Sequence, residues 1–448
     1  MNIPEKMNKS IAQKIKESVM LKIITILFLC LLLMIPVASV QSLIRERSGL
    51  KNQIENDVAK AYGQSQNIVP PVLKIPYSRT ISDDDDKKKI TNGFITVTPD
   101  MVEIDGDINT DKRKRSIYEV IVYKSALNLK GKILLPNLEK HEIDEYKFDY
   151  AGAYISIGLS DNNGLYEDLF ITINGESFEL SPGLIQDPLM ITSLSTDALG
   201  IEDEHSLNFE MNLKVKGTRS IKFAPVARNA QVNLKSEWHS PSFIGSSLPQ
   251  SYDITEEGFN SKWTTNQYNR DFPHYWFDGH YDFKKINKSF GVSLIEPIDG
   301  YGKNNRSSKY ALLIIALTFG IFFFFEIMYK KNIHPIQYTM VGFSLATFYL
   351  LLLSLTEHIG FNSAYALSSI GTIILIVSYT FFIIKSKKAI IILLLLMSAL
   401  FSYIFIILQL EEFALLAGSV GLFVILGSVM FLSRNIDWYN LNGSSIGE

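Results

Sequence analysis

Hydrophobic residues are concentrated in six long runs, one near the N-terminus and five in succession after residue 309. Each is close to the roughly 20 residues that a helix needs to cross a bilayer. Backbone groups in lipid must find partners within the segment, so the runs are predicted to be helices. A helix buried in a soluble protein can be as apolar, but five such runs in a row favour a membrane. The runs are 23–40, 310–328, 336–355, 364–384, 389–408 and 413–432.

The pattern between the first two runs is different. Residues 43–66 space their apolar positions as a helix continuing from the first run would. After Pro70 and Pro71, stretches such as FITVTP, YEVIVYKSALNLKGKI, LFITING and LNFEMNLKVKGTRSIKFAPV alternate β-branched or aromatic residues with polar ones. We therefore predict a six-span α-helical membrane bundle, with a large extracytoplasmic domain that is mainly β, an antiparallel sandwich or a related fold.

The net charge of -3 over 448 residues gives no sign of a nucleic-acid partner.

The pattern of apolar runs and alternating stretches divides the chain into five predicted parts. The parts are a cytoplasmic segment (1–22), the first span (23–40), the β-rich domain (41–309), a five-helix membrane region (310–432) and a cytoplasmic tail (433–448).

Basic residues near the span ends predict the orientation. If the six runs alternate in direction, all the lysines and arginines of the short connections fall on one side, which is then cytoplasmic. The short loops of the other side carry Glu357 with His358, and Glu411 with Glu412. The basic residues are Lys9, Lys14, Lys16, Lys22, Lys330, Lys331, Lys385, Lys387, Lys388 and Arg434.

The first run has an alternative interpretation as a cleaved secretory signal peptide, with Ala38-Ser39-Val40 as the cleavage region. Its apolar part is longer than a typical signal core, and Pro36 precedes the small residues, so we favour an uncleaved anchor. Cys30 is the single cysteine, which leaves no internal disulfide.

The segment FFFFEIMYKKNIHPIQY places a carboxylate, Glu326, one turn before the end of the second span. It is either an interfacial acid that reaches water or pairs with Lys330 four residues on, or a functional acid that faces the bundle. Pro335 is predicted to begin the next helix. We include His334, which precedes it, among the candidate functional residues.

A second candidate lies on the predicted outer side. Glu357 and His358 stand together, near Asn362 and close to the β domain in our topology. A carboxylate and an imidazole are able to share acid–base work. The same residues also occur in an ordinary loop at a helix end.

Other chemical motifs are incomplete, and we predict no catalytic residue, metal or cofactor. The stretch DGDINTD, with Asp105, Asp107 and Asn109, begins like a calcium loop, but Thr110 and Ser116 stand where such a loop needs Gly and Glu. We interpret it as a polar hairpin tip. The histidines lack metal-ligand spacing and no serine lies in a G-x-S-x-G motif.

The stretch WHSPSFIGSSLPQSYDITEEGFNSKW, from Trp238 to Trp263, is dense in aromatic residues, Pro and Gly. This string resembles the CreD family of bacterial inner-membrane proteins. So do KYALLIIALTFGIFFFFE, HPIQYTMVGFSLATFYLLLLSLTEHIGF and FALLAGSVGLFVILGSVMFLSRNIDWY. Small departures are Thr356, where the family more often has Ser, and Ser433, where it usually has Thr. Packing explains Trp238 and Trp263 equally well, and we keep both as candidate functional residues.

The resemblance implies an envelope-stress, or cell envelope integrity, protein of the inner membrane. Its expression would be under a sensor kinase and response regulator, with links to colicin tolerance and the β-lactam response. The family has no established catalytic residues, so none is carried over. The expected partners are membrane lipids, with other envelope proteins or cell wall as further candidates, and the sequence leaves the oligomeric state open.

Three functions are weighed. The leading hypothesis is a non-enzymatic envelope protein that acts through contacts. A transporter or channel is the second hypothesis. It ranks below the first because transporters usually carry ionisable residues at mid-bilayer, and the middle of every predicted span lacks one. An enzyme acting on lipid or wall is third, and rests on Glu357 and His358.

Overall fold

A computed structural model describes residues 19–82, 88–138, 146–182, 192–202, 204–270, 272–278, 288–294, 300–329, 331–410 and 413–434. The chain forms two compact units. The helical unit contains residues up to Leu50 and from Ile298 onwards, and the β unit contains Lys51–Pro297.

Six helices in the described residues are long and apolar enough to cross a membrane, and the mainly-β unit lies between the first and the later ones in sequence. The predicted fold class is therefore confirmed. Pro335 occupies the first turn of its helix, where its missing N–H costs nothing. The helices are α1 (Val19–Tyr62), α2 (Gly300–Lys309), α3 (Ala311–Tyr329), α4 (Pro335–Ile359), α5 (Phe361–Ile384), α6 (Lys387–Gln409) and α7 (Ala414–Ser433).

Helix α1 has 44 residues, about twice the length needed to span a bilayer. Within the helical unit its buried side chains include Leu33 and Val37. Leu33 packs directly over Gly342 of α4, where an added Cβ would meet the methyl groups of Leu33. Gly342 is thus needed for the close approach of these two helices.

The β unit contains eighteen described strands. They lie where the alternating patterns predicted them, since FITVTP, YEVIV…, LFITING and LNFEM… overlap β2, β4, β7 and β11. The strands are β1 (Gln66–Ser82), β2 (Lys88–Val97), β3 (Met101–Arg115), β4 (Tyr118–Leu134), β5 (Tyr146–Phe148), β6 (Tyr154–Leu159), β7 (Phe170–Ile173), β8 (Glu176–Glu179), β9 (Ser181–Pro182), β10 (Thr192–Ser195), β11 (Ser206–Thr218), β12 (Ser220–Phe223), β13 (Asn229–Ser236), β14 (Ser242–Gly245), β15 (Ser251–Thr255), β16 (Gly258–Asn266), β17 (Tyr275–Phe277) and β18 (Phe290–Ser293).

Two sheets form this unit. The larger has the path β14-β18-β12-β1-β6-β10-β9, with β2 and β5 also paired to β1, and β17 paired to β2. The other has the order β15-β16-β13-β3-β4-β11-β7-β8. The expectation of a purely antiparallel fold needs correction, because β1 pairs with β12 and β3 pairs with β13 in parallel.

One hydrophobic core joins the inner faces of both sheets, as in a sandwich. On β3 the buried and exposed positions alternate strictly from Met101 to Asn109. The polar stretch DGDINTD is therefore the outward face of a strand interior. The predicted hairpin tip is wrong, because the apolar residues between its acids point into the core.

Candidate functional site

The most buried ionic group of the helical unit is the Glu326 cluster, formed by Lys22, Glu326, Asn332, Ile333 and Tyr338. The Glu326 side chain is 6% exposed, and its Oε1 atom lies 2.6 Å from the Lys22 Nζ atom. The Tyr338 hydroxyl donates to Oε2 at 3.2 Å, and the Ile333 backbone N–H donates to Oε1 at 3.2 Å. Lys22 also donates to the Asn332 side chain at 3.2 Å. The carboxylate therefore joins α1, α3, α4 and the α3–α4 loop.

Local sequence explains this geometry. Helix α3 ends at Tyr329, and the loop turns back so that the Lys331 N–H donates to the Glu326 carbonyl oxygen. The Tyr338 ring is held by edge contacts with Phe319 and Phe322. Glu326 is thus an acid that faces the bundle, and its cation is Lys22. The predicted partner, Lys330, lies outside the described residues.

A second carboxylate forms the Glu357 cluster with Arg47 and Tyr301. The Tyr301 hydroxyl donates to the Glu357 Oε1 atom at 2.9 Å, and the Arg47 Nε atom lies 4.0 Å from the same oxygen. Both clusters therefore combine a carboxylate with a cation of α1 and a tyrosine hydroxyl. Lys22 and Arg47 are about 38 Å apart along the axis of α1.

The Glu357–His358 pair suggested by the sequence is not assembled. Adjacent residues of a helix point in different directions, and His358 is exposed while Glu357 faces Tyr301. Nearby, Asn362 accepts from the Gln409 side chain at 2.8 Å, and Gln409 accepts from Lys303 at 2.9 Å. These bonds join α2, α5 and α6 without involving His358.

His334 is the N-cap of α4. Its Nδ1 atom accepts from the Ile336 N–H at 3.3 Å, and its own N–H donates to the Gln337 side chain at 2.9 Å. This reciprocal arrangement is a capping box, which satisfies free backbone donors at a helix start. The structure thus gives His334 a helix-capping position.

Trp238 and Trp263 are both in the core of the β unit. Trp263 is completely buried and lies edge-on to Phe243, with ring centroids 5.6 Å apart. Trp238 donates its indole N–H to the Ser240 carbonyl oxygen at 2.9 Å. Packing accounts for both positions.

Sequence reasoning missed a polar cluster around His274 in the β unit. The Asp100 Oδ2 atom lies 3.5 Å from the His274 Nε2 atom, and the Thr98 hydroxyl lies 3.2 Å from Nδ1. Arg228 binds the other Asp100 oxygen at 3.1 Å, and Arg270 donates to the Thr98 hydroxyl at 2.8 Å. Burial lowers the pKa of His274 below its ordinary value, against the opposing pull of Asp100.

The His274 cluster has the order of a hydroxyl–imidazole–carboxylate triad, yet it cannot act as one in this conformation. The Thr98 side chain is completely buried, and its hydroxyl donates to the His274 carbonyl oxygen at 2.9 Å. No substrate reaches that oxygen. Asp100 and His274 are 174 positions apart in the sequence and come together only in the folded chain. No local motif could therefore have indicated this cluster.

Helix α2 is polar but has one buried face. Asn304, Ser307 and Ser308 are at most 1% exposed. Ser308 donates to the Asn305 carbonyl oxygen at 2.9 Å, whereas the Ser307 hydroxyl and the Asn304 Oδ1 atom meet no partner among the described residues. Unpartnered polar groups in an interior are costly.

Glu326 and Glu357 therefore lie in contacts between helices, and His334 caps a helix, whereas Trp238 and Trp263 pack in the core of the β unit. Among the described residues no group of three His, Cys, Asp or Glu side chains is placed to hold a metal ion. Ionic and hydroxyl contacts of this kind position helices and resist their separation.

Among known protein families, the family described as Inner membrane protein CreD matches residues 18–439. The chain is also similar to the inner membrane protein CreD of Escherichia coli strain K12, with 30% identity over 420 residues, which is 91% of each chain.

Proposed function

The chain belongs to the CreD family of inner membrane proteins, and from this premise we propose that it maintains the integrity of the cell envelope without catalysis. In this proposal the helical unit spans the inner membrane with both termini in the cytoplasm. The β unit lies on the periplasmic side, where it contacts envelope components.

The observation that carries the proposal is the use of the buried Glu326 and the partly exposed Glu357 as links between helices. Glu326 ties α3 to Lys22 and Tyr338, and Glu357 ties α4 to Tyr301, with Arg47 at 4.0 Å. A general acid or base needs a substrate within hydrogen-bond reach. Here the lone pairs face tyrosines, a lysine and a backbone N–H.

Helix α1 supports a structural role because it makes polar contacts within each unit. In the helical unit its cations meet Glu326 and Glu357. In the β unit its Glu55 accepts from Arg219 at 3.0 Å, and the following Gln64 N–H donates to Asp161 at 2.8 Å. By sequence, the residues of α1 up to Leu50 belong to the helical unit and those from Lys51 onwards to the β unit.

Lipid is the partner proposed for the outer surface of the helices. Side chains of α7 such as Leu415 and Phe423 are 86% and 78% exposed, and none of the described side chains of this helix is buried. Apolar surface of this extent is stable in hydrocarbon and unstable in water.

Reporter fusions test the topology. We expect a reporter enzyme fused after residue 439 to be active only in the cytoplasm, and one inserted near residue 100 to be active only outside it. The reverse pattern would remove the basis of the proposal.

Substitutions in a deletion strain test the absence of catalysis. Glu357→Gln keeps an acceptor for Tyr301 but removes the base, and His358→Ala removes the imidazole. We expect both variants, at normal abundance, to restore resistance to β-lactam and colicin to the level given by the unaltered protein. Loss of resistance with normal abundance would favour an enzyme and overturn the non-catalytic proposal.

A further inference from the structure

A polar groove lies on the outward face of the β15-β16-β13-β3-β4-β11 part of the sheet in the β unit. Its volume is about 610 Å³. A second depression of about 450 Å³ continues it past Asp107, Lys235 and Asn260. All the residues concerned belong to the β unit, so the groove is a property of this unit alone.

The floor of the groove is a row of side chains in register across five strands. Lys262 of β16 is opposite Asn233 of β13, and Asn233 is opposite Asp105 of β3. Asp105 is opposite Asn128 of β4, which is opposite Asn212 of β11. Neighbouring strands are about 4.8 Å apart, so the row repeats at that interval.

A second row runs beside the first and makes the groove concave. Asn260 is opposite Lys235, Lys235 is opposite Asp107, and Asp107 is opposite Ala126. The small side chain of Ala126 leaves space where a larger residue would fill the depression. The groove is thus formed by two neighbouring rows of polar side chains, with a low point at Ala126.

Asn and Asp are depleted in strand interiors, because their side chains compete with the backbone for hydrogen bonds and pack poorly on a pleated surface. Four of them in one row across adjacent strands run against local propensity. Such departures from local preference are expected where function requires them.

The amides of the row are also available for binding. The Asn233 side chain donates to Asp105 at 2.7 Å, which orients both groups. Asn128, Asn212 and Asn260 make no side-chain hydrogen bond with any residue that the structure describes. Each of these amides offers two donors and a carbonyl acceptor to a ligand.

The composition of the groove selects the class of ligand. Three carboxylates and two ammonium groups line it, namely Asp105, Asp107, Asp253, Lys235 and Lys262. The second depression adds Glu237 and Glu257, so the groove carries a net negative charge, which disfavours polyanions. The rows carry no large apolar side chain of the kind found at the centre of protein–protein interfaces. A ligand rich in hydroxyl and amide groups is complementary.

We propose that this groove binds the glycan strand of peptidoglycan, a β-1,4-linked chain of N-acetylated amino sugars. Successive sugars of such an extended chain face opposite ways, so acetamido groups on one side recur at every second sugar, at about twice the spacing of the strands, and meet the amides of alternate strands. Acetamido groups pair with Asn side chains, and sugar hydroxyls donate to the Asp carboxylates. This inference rests on the proposed function, since it requires the β unit to face the periplasm.

The test uses the full-length protein in lipid nanodiscs and isothermal titration with a β-1,4-linked N-acetylglucosamine tetramer. We expect measurable binding of this tetramer and at least about tenfold weaker binding of cellotetraose, which lacks the acetamido groups, because each lost hydrogen bond of about 1.4 kcal/mol is a factor of ten. Co-sedimentation with purified peptidoglycan checks the natural polymer. Equal binding of the two tetramers, or no binding of either, would overturn the assignment.

Substitutions locate the site. Asn128→Thr with Asn212→Thr places a strand-favouring residue at each position and removes both amides, and we expect it to weaken tetramer binding at least about tenfold. Gln231→Thr is the matched control, since Gln231 lies on β13 two residues from Asn233 but outside the groove. It should leave binding unchanged.

A second variant, Ala126→Phe, fills the groove without removing a polar group and should also abolish binding. Tryptophan fluorescence during heating verifies that each variant is folded. Binding that survives both groove variants would place the site elsewhere and refute the inference. A groove-dependent dimer that ignores the tetramer would refute it in favour of a second copy of the chain.

The failure of this inference and that of the proposed function have different signatures. A reporter near residue 100 that is active only in the cytoplasm would overturn both. A periplasmic reporter, a restored resistance phenotype and no binding of the tetramer would overturn the glycan site alone.

Discussion

The Glu326 and Glu357 clusters have the same composition but different surroundings. Each joins a carboxylate to a cation of α1 and to a tyrosine hydroxyl. Glu326 is 6% exposed with its cation at 2.6 Å, whereas Glu357 is 13% exposed and its cation, at 4.0 Å, is 42% exposed. Burial and distance, rather than residue type, decide how strongly an ion pair holds two helices.

Burial also makes the first cluster asymmetric. The Lys22 side chain is 31% exposed, so it keeps access to water when its partner is lost. The Glu326 carboxylate has no such access. The cost of breaking the pair therefore depends on which member is removed.

The largest expected effect follows from removing Lys22. Lys22→Met leaves a buried carboxylate without its cation and should lower the free energy of unfolding by about 3 kcal/mol. Glu326→Gln should cost less, because it leaves no buried charge and its one amide oxygen still accepts from Tyr338 or Ile333. Thermal unfolding of the full-length protein in detergent gives both values.

Two controls make this result specific. Lys331→Met removes an exposed lysine of the α3–α4 loop and should change stability by less than about 0.5 kcal/mol. The double variant Lys22→Met with Glu326→Gln should recover most of the loss, because no buried charge remains. A double variant as unstable as Lys22→Met alone would show that the ion pair is not what holds α1.

The second cluster should respond less. Glu357→Gln removes a distant, partly exposed ion pair but leaves an acceptor for Tyr301, so we expect a loss of at most about 1 kcal/mol. Tyr301→Phe should have an effect of similar size, and His358→Ala, which removes an exposed side chain, should have almost none. An effect of Glu357→Gln as large as that of Lys22→Met would break the comparison between the two clusters.

The His274 cluster provides a third case, because burial of His274 disfavours its charged form. The pKa of His274 is lowered by burial, while an unfolded histidine titrates near pH 6.5. As pH falls below about 6.5, the unfolded chain binds a proton that the folded chain still excludes. The stability of the β unit should therefore be highest above this pH and decrease below it.

The fluorescence of tryptophans in the β unit, including Trp238 and Trp263, reports its unfolding at each pH. His274→Gln should remove this part of the pH dependence. Stability that instead increased between pH 7 and pH 6 would mean that the charged pair with Asp100 outweighs burial, contrary to the direction of the His274 pKa.

The elements themselves were largely predictable, whereas their contacts were not. Apolar runs fix where spans lie, and alternation fixes where strands lie, because both are local patterns. The partner of Glu326 is 304 residues away in sequence, at Lys22. Local spacing instead pointed to Lys330, since an i,i+4 pair is the only one that a helix pattern reveals.

The groove shows the same limit in the β unit. Asp105 and Asp107 oppose strand propensity, so the sequence pattern favoured a hairpin tip. Their true role depends on register with β4 and β13, and β13 pairs in parallel through a connection that no short motif marks. The row of amides exists only after five strands have aligned.

The smallest expected effect concerns helix α2 and tests whether an unpartnered group is a cost or a contact. Ser307 is completely buried, and its hydroxyl meets no partner among the described residues. Removing such a hydroxyl relieves a desolvation cost, so Ser307→Ala should leave stability unchanged or raise it by up to about 1 kcal/mol.

Ser308→Ala is the matched control, since it deletes a buried hydroxyl that donates to Asn305 and should cost about 1 kcal/mol. Thermal unfolding in detergent distinguishes the two signs. A loss of stability in Ser307→Ala equal to that in Ser308→Ala would mean that a bound water or ligand uses the Ser307 hydroxyl, and that α2 presents a site as well as a packing surface.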